Sequence, residues 1–241
     1  MKYKKIKERK RLQNMTESIE IIYEDKTLAL CHKPAGIATQ TRKAGQKDME
    51  SLLLCHMAAL GQPPYVGIIH RLDQPVEGVM VFAKNQNAAR SLSSQIKNHS
   101  FGKHYLALVN LPDGKNFSET TGLPSEGDLI DYLCFDKKQN LASVVSPDRK
   151  DAKKAVLSYH MESEHDGHAL LAIKLLSGRH HQIRIQLASR GIPICGDSKY
   201  GTAVSGFPAL CACRITFTHP ITGKKMDYTV RPHNPLFDNF L

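Results

Sequence analysis

The sequence predicts an α+β fold with a mixed, largely antiparallel central sheet and flanking helices and loops. Three observations predict it. Strand-like segments outnumber helix-like ones, neighbouring strand-like segments are joined by short polar turns, and no β-α alternation is sustained as a parallel sheet would need. At 241 residues, 41% hydrophobic and 23% charged, the chain is long enough to bury a substantial core and has an ordinary globular composition. No apolar run approaches the roughly 18 residues of a membrane helix, and the first residues, MKYKKIKERKRLQ, lack the apolar centre of a secretory signal. A soluble, cytoplasmic protein is expected, with no membrane partner.

Residues 20–23 and 27–32 read as two short strands around the turn Glu24-Asp25-Lys26, and Lys33-Pro34-Ala35-Gly36 ends the second. Residues 48–60 place Leu52, Leu53, Met57 and Leu60 at helical spacing, with Gly61 and Pro63-Pro64 as the stop. The run GVMVFAK, residues 78–84, suits a buried strand. Asn85 caps the helix that follows, whose Ala88, Ala89, Leu92 and Ile96 make one stripe. Residues 104–109 alternate like a strand, and the stretch to about residue 124, rich in Asn, Gly, Ser and Thr, reads as a loop. Residues 152–161 and 168–176 read as strands joined by the polar hairpin 162–167. Residues 180–190 read as a helix with Ile183 and Leu187 on one face, ended by Gly191, and residues 210–217 and 226–230 as strands around Ile221-Thr222-Gly223-Lys224. No internal repeat or linker interrupts this; the reading is a basic tail over 1–14 and one domain over 15–241.

The formal charge of +10 is unevenly placed, because the first 11 residues hold seven cations against Glu8, a net of +6. Such an arm suits a polyanion such as nucleic acid, since each neutralised phosphate releases counterions; it is equally what a solvated tail looks like. The six cysteines have no zinc-finger spacing, and Cys211 and Cys213 alternate as two thiols on one face of a strand would. With no secretory signal they are expected to stay reduced. The twelve histidines form no HExxH pattern, and His180 and His181, if helical, point about 100° apart. Nucleotide-binding loops of the GxxxxGKS/T and GxGxxG kinds are absent.

Three segments bear on chemistry. In GIIHRLDQPVEGVMVFAK, residues 67–84, the polar cluster His70, Arg71 and Asp73 is inserted between two apolar strand-like runs, at a point closed by Pro75 and Gly78. Polar groups on a tight turn at the end of buried strands are either structural hydrogen-bonders or a site. In LSGRHHQIRIQL, residues 176–187, Gly178 leads into a helix start whose free N–H groups, with Arg179 beside them, could meet phosphate. Arg184 lies near the apolar stripe; it is a surface cation or a partly buried one in need of a carboxylate partner. In KHYLALV, residues 103–109, Tyr105 opens an apolar strand, where it either stacks on a base or fills core.

These segments, with the run GIPICGDSKYG (191–201), occur in the order seen in the RluA-type family of pseudouridine synthases, which the chain resembles. Glu24-Asp25 with Lys33-Pro34-Ala35-Gly36 near the start, and His219-Pro220 with Thr222-Gly223 near the end, match that family's outer motifs, so the resemblance spans roughly residues 18–235. It implies the pseudouridine synthase catalytic fold in a form without the extra N-terminal RNA-binding domain of many relatives. It implies isomerisation of uridine in ribosomal or transfer RNA, with the base detached at nitrogen and rejoined to ribose through carbon 5. Asp73 then matches the catalytic aspartate, Tyr105 the tyrosine packed on the uracil, Arg184 the arginine paired with the aspartate, and Arg71 the arginine that contacts RNA near the flipped nucleotide.

The implied reaction is redox-neutral and hydrolyses nothing, so no cofactor and no metal are expected, and a monomer with no obligate protein partner suffices. A uracil in folded RNA must first be extruded, for about a few kcal/mol, which stacking in an apolar pocket offsets. Burial favours a neutral Asp73, and a nearby arginine opposes that. Two departures from the family pattern stand out. Glu77 replaces the serine common before Gly78, where it either repels phosphate or faces solvent, and His180 replaces a common threonine. The alternatives are an inactive RNA-binding or remodelling protein of the same fold and a nucleobase glycosylase, which would release free base.

Overall fold

The computed structural model of the chain describes residues 19–41, 45–201 and 206–241. The basic segment 1–14, and with it the boundary at residue 15, lies outside the described residues. The chain divides into two compact units, one running through Phe101 and resuming over Ile215–Val230, the other over Gly102–Arg214 and Arg231–Leu241.

In the first unit, β1 (Glu20–Glu24) and β2 (Leu28–Lys33) form the hairpin read from the sequence. Asp25 closes its turn by accepting the Thr27 and Leu28 N–H groups at 2.6 and 2.8 Å, the Asx chemistry that favours aspartate in turns. β3 (Gly67–Ile68) and β2 both pair antiparallel with β4 (Glu77–Ala83), with Leu28 opposite Ala83 and Lys33 opposite Gly78. Every residue of β2 and β4 is buried, which is why β4 reads as a continuous apolar run: without a wet face there is nothing to alternate.

Two helices complete this unit. α1 (Met49–Ala59) starts at Asp48, whose carboxylate accepts the Ser51 N–H at 2.8 Å while the Ser51 hydroxyl accepts the Asp48 N–H. α2 (Gln86–Lys97) starts at Asn85, the cap read from the sequence, which accepts the Ala88 N–H at 2.9 Å. The core joins Leu28, Leu30, Val79, Val81 and Ala83 to Ala88 and Leu92 of α2 and to Phe101, Ile215 and Phe217. The outer motifs meet here, where His219 Nε2 lies 2.8 Å from Asp25 while Lys84 and His56 engage Glu24 at 2.6 and 2.8 Å. Burial would raise both carboxyls, but these partners and the turn N–H groups prevail and hold Glu24 and Asp25 below the usual carboxylate range.

In the second unit, β5 (Gly102–Asn110), β6 (Glu126–Asp136), β7 (Leu141–Val144), β8 (Lys153–His165) and β9 (His168–Leu175) run in the order β5-β9-β8-β6-β7, each pair antiparallel. β6 and β7 fall in sequence left unassigned above, and residues read as loop include α3 (Phe117–Thr121), capped by Asn116. The β8–β9 turn is tighter than the hairpin read over 162–167, because the strands continue to His165 and resume at His168. α4 (Gln182–Ala188) is shorter than the helix read over 180–190. The division between the units falls inside β10 (Leu210–Thr218), between Arg214 and Ile215, and β11 (Lys225–Thr229) pairs with β10.

Candidate active site

Asp73 sits half-buried on the turn that leads into β4, and both of its neighbours are tied to the segment after β2. Before it, Leu72 is held at two atoms: its N–H donates to the Thr39 hydroxyl at 3.2 Å, and its carbonyl accepts from the same hydroxyl at 3.1 Å. After it, the Gln74 carbonyl accepts from the Gly36 N–H at 2.9 Å and from the Lys33 ammonium at 3.1 Å, while the Gln74 side chain donates to the Gly36 carbonyl at 3.0 Å. The Asp73 carbonyl closes the turn by accepting the Val76 N–H at 3.0 Å. Leu72 and Val76 are buried, so the backbone around Asp73 is anchored on both sides by apolar packing as well.

Lys33 is the least expected member of this group, for it is fully buried, at 0% exposure. Its ammonium donates to the carbonyls of Pro34 (2.9 Å), Ile37 (2.6 Å) and Gln74 (3.1 Å). Burial pushes it down to about 7, against the pull of the Asp73 and Glu77 carboxylates. Glu77 is itself buried at 4% exposure, so it does not face solvent.

The neighbours of Asp73 in the HRLD stretch have different surroundings. Arg71 is exposed. His70 Nε2 accepts the Val81 N–H at 3.2 Å, and its ring lies tilted against Phe101 at 5.5 Å between centroids, which gives His70 a structural task in the core of its unit.

In the second unit, Tyr105 lies on β5 opposite Ile173 and is buried. Arg184, on α4, is also buried, and its carboxylate partner there is Asp197, reached by Nε and by one terminal nitrogen, each at 2.7 Å. Burial alone would raise the Asp197 carboxyl, but the hydrogen bonds and charge of Arg184, with the Lys199 and Tyr200 N–H groups, hold it below the usual range. The guanidinium also stands 5.2 Å from the centre of the Tyr200 ring. Asp197 is placed by the run 192–197, which follows β5 through a bridge between Val109 and Ile194. Gly196 makes the bend at φ +75°, where a Cβ would come within 2.5 Å of the Phe207 carbonyl oxygen, so only glycine fits.

The start of α4 differs from the sequence expectation. The helix begins at Gln182, and His181 precedes it in the left-handed region at φ 54°. Its Nδ1 lies 2.7 Å from the Tyr200 hydroxyl, and its ring stands edge-on to Phe135 and to its neighbour His180. Gly178 and Arg179 are therefore in a loop and not at a helix N-terminus. That loop is fixed by Gln182, which accepts from the Ser177 hydroxyl and the Arg179 N–H and donates to the Val156 carbonyl. Arg179 is exposed, with its Nε bonded to the Lys154 carbonyl at 2.9 Å. Burial pushes the Cys31 and Cys195 thiols up to about 12, which removes them as nucleophiles.

The family resemblance pointed to Asp73, Tyr105 and Arg184, which spacing alone left open between structural and functional roles, and Lys33, Thr39 and Asp197 were missed. A signal existed for two of them, since Lys33 stands in the KPAG turn and Asp197 in the GIPICGD run.

Residues 27–189 match the family model for RNA pseudouridylate synthase. A ribosomal large subunit pseudouridine synthase D from Zymomonas mobilis is 30% identical over 227 residues, covering 87% of this chain and 68% of the relative. A protein of the same description from Pseudomonas aeruginosa is 30% identical over 244 residues, covering 92% and 70%. Among solved structures, human RNA pseudouridylate synthase domain containing 4 superposes with a TM-score of 0.71 at 20% identity, covering 95% of this chain and 94% of that one, which shows the fold. A model match over two thirds of the chain, carrying the HRLD turn, the Tyr105 strand and Arg184 in their expected order, makes the assignment direct: this chain belongs to the RNA pseudouridylate synthase family.

Proposed function

We propose that this enzyme converts specific uridines of structured RNA to pseudouridine with Asp73 as its catalytic carboxylate, and that ribosomal RNA, then transfer RNA, is the substrate to test first. The order follows the relatives, two of which are described as acting on the large ribosomal subunit. The observation that carries the choice of Asp73 is the turn itself, in which residues 72 and 74 are both clamped and the backbone of the aspartate between them is fixed in place. A preset carboxylate avoids the loss of conformational freedom otherwise required in the transition state.

In this reading the base is flipped from the RNA, and Tyr105 packs on the uracil. Asp73 acts on the ribose as a carboxylate, either adding to it as a nucleophile or removing a proton. The bond from ribose to the base nitrogen breaks, the retained uracil turns, and carbon 5 bonds to the ribose, displacing the aspartate where it had added; carbon 5 then loses its proton and the freed nitrogen carries one. Arg184, whose pose is set by Asp197, stabilises the ionised aspartate. Arg71 and Arg179, both exposed, contact the RNA backbone, and His70 supports the turn from within its unit. The reaction needs no cofactor or metal, and we place the enzyme in the cytoplasm as a monomer without an obligate protein partner.

Incubation with an unmodified large-subunit ribosomal RNA transcript and with bulk transfer RNA, followed by carbodiimide mapping, tests this. Pseudouridine at discrete sites is expected, with every site lost in Asp73→Asn while RNA binding is kept. Undiminished modification by that variant would remove Asp73 from its role. Free uracil would identify a glycosylase, and tight binding with no product would identify an inactive binding protein.

A further inference from the structure

An ammonium has three N–H donors, and Lys33 spends them on three carbonyls, those of Pro34, Ile37 and Gln74. A neutral amine has two donors and a lone pair, so on losing its proton Lys33 must release one carbonyl and face it with the lone pair. In a fully buried site no water replaces the lost bond. One of the three carbonyls belongs to Gln74, the residue directly after Asp73, so the proton on Lys33 bears on how Asp73 is held.

What keeps that proton in place is therefore part of the site. The carbonyl dipoles contribute, but a buried cation also needs a counter-charge. Two carboxylates act on Lys33, Asp73 from the turn and Glu77 from β4. Glu77 precedes Gly78, the cross-strand partner of Lys33, and is buried with it. The other titratable neighbour on β2, His32, lies 3.8 Å from Glu20. Because all three ammonium donors go to carbonyls, the carboxylates act on Lys33 through the low-dielectric interior, where a charge is felt strongly. Asp73 has to change its interactions during the reaction, whereas Glu77, buried on β4, takes no part in the proposed chemistry.

We propose that Glu77 and Lys33 are a buried counter-charge pair that positions Asp73, with Glu77 keeping Lys33 as an ammonium and the ammonium holding the Gln74 carbonyl. Glu77 is a positioning residue in this scheme and does not touch substrate. The proposal rests on the reading of Asp73 as the catalytic carboxylate.

The test compares single-turnover pseudouridine formation by the unsubstituted protein and by Glu77→Gln from mildly acidic to alkaline pH. Loss of the Glu77 charge is expected to move the alkaline fall in rate to lower pH by about one unit or more. Coincident profiles would overturn the proposal. A direct readout follows the ε-carbon of Lys33 by NMR, assigned through its own backbone. Lys33 is expected to titrate well below the other lysines, and lower still in Glu77→Gln; an ordinary lysine titration in the unsubstituted protein would overturn the proposal even if the variant failed to fold. If no RNA is modified at all, the functional reading fails, while the NMR titration still decides whether Glu77 holds the Lys33 proton.

Discussion

Replacing Asp197 by asparagine keeps the shape of the side chain and removes its charge. Oδ1 of Asp197 accepts from a terminal nitrogen of Arg184 at 2.7 Å and from the Lys199 and Tyr200 N–H groups at 2.9 and 3.2 Å; an asparagine oxygen in that position retains all three. Oδ2 accepts Arg184 Nε at 2.7 Å, and there the asparagine NH2 would set donor against donor. The guanidinium, 4% exposed, would lose the charge of Asp197, which is 0% exposed. Breaking one half of a buried pair costs about 3–5 kcal/mol. In a protein of this size each kcal/mol lowers Tm by about 2–4 °C, so a fall of roughly 10 °C at neutral pH is expected by calorimetry. The pH dependence has a definite sign. The Asp197 carboxyl is depressed in the folded state, so its contribution is fully present above its unfolded value of about 3.9 and is lost as pH falls through the folded value. Asparagine does not titrate, so the gap between the two proteins should be widest at neutral pH and narrow in acid. A gap below about 1 kcal/mol at neutral pH, or one that persists unchanged in acid, would refute the reasoning.

Other substitutions test other parts of the assembly. Thr39→Val removes both hydrogen bonds on Leu72 with little change of shape; stability should fall by about 1–2 kcal/mol in urea and the single-turnover rate by roughly 10–100-fold, whereas an unchanged rate would show that the Leu72 clamp is irrelevant to Asp73. Gly196→Ala combines a left-handed backbone with a Cβ within 2.5 Å of a carbonyl oxygen, so a loss of more than about 2 kcal/mol is expected, and a neutral result would show that the bend relaxes freely. Deleting residues 1–11 removes seven cations and should weaken RNA binding and flatten its dependence on salt by several logarithmic units of slope; an unchanged slope would make the arm a mere solvated tail.

How far the fold was legible varies with what fixes each element. α1 and α2 follow from local causes, an apolar stripe and a side-chain cap, so both were visible. β6 was not, because only Leu129 and Leu133 are deeply buried in its 11 residues and acidic residues interrupt any alternation; the strand is held by backbone pairing with β7 and β8. The start of α4 was misplaced because the left-handed turn at His181 depends on Phe135 and Tyr200, neither of which is local. Asp73, Tyr105 and Arg184 were candidates as polar or aromatic residues beside apolar runs, and it took the family resemblance to single them out. Their supports did not stand out, since a lysine in a KPAG turn reads as a surface cation until three carbonyls, one of them 41 residues away, are seen around it.

That burial also changes what the net charge of +10 means for RNA. Lys33 is matched by the carboxylates that act on it, Arg184 by Asp197, Lys84 by Glu24 and Arg190 by Asp131. A cation closed against a carboxylate presents a dipole to the outside, and its field decays faster with distance than that of a free charge, with salt shortening the reach further. In the proposed reading the cations that a phosphate meets are exposed ones such as Arg71 and Arg179, and the sequence adds seven more in its first 11 residues. Affinity and orientation thus fall to different groups. On that reading the arm is expected to set how strongly, and with what salt dependence, RNA is gathered, while the internally neutralised cations hold the proposed site and respond little to salt. Salt should accordingly weaken capture of the RNA far more than it slows the step at the bound uridine.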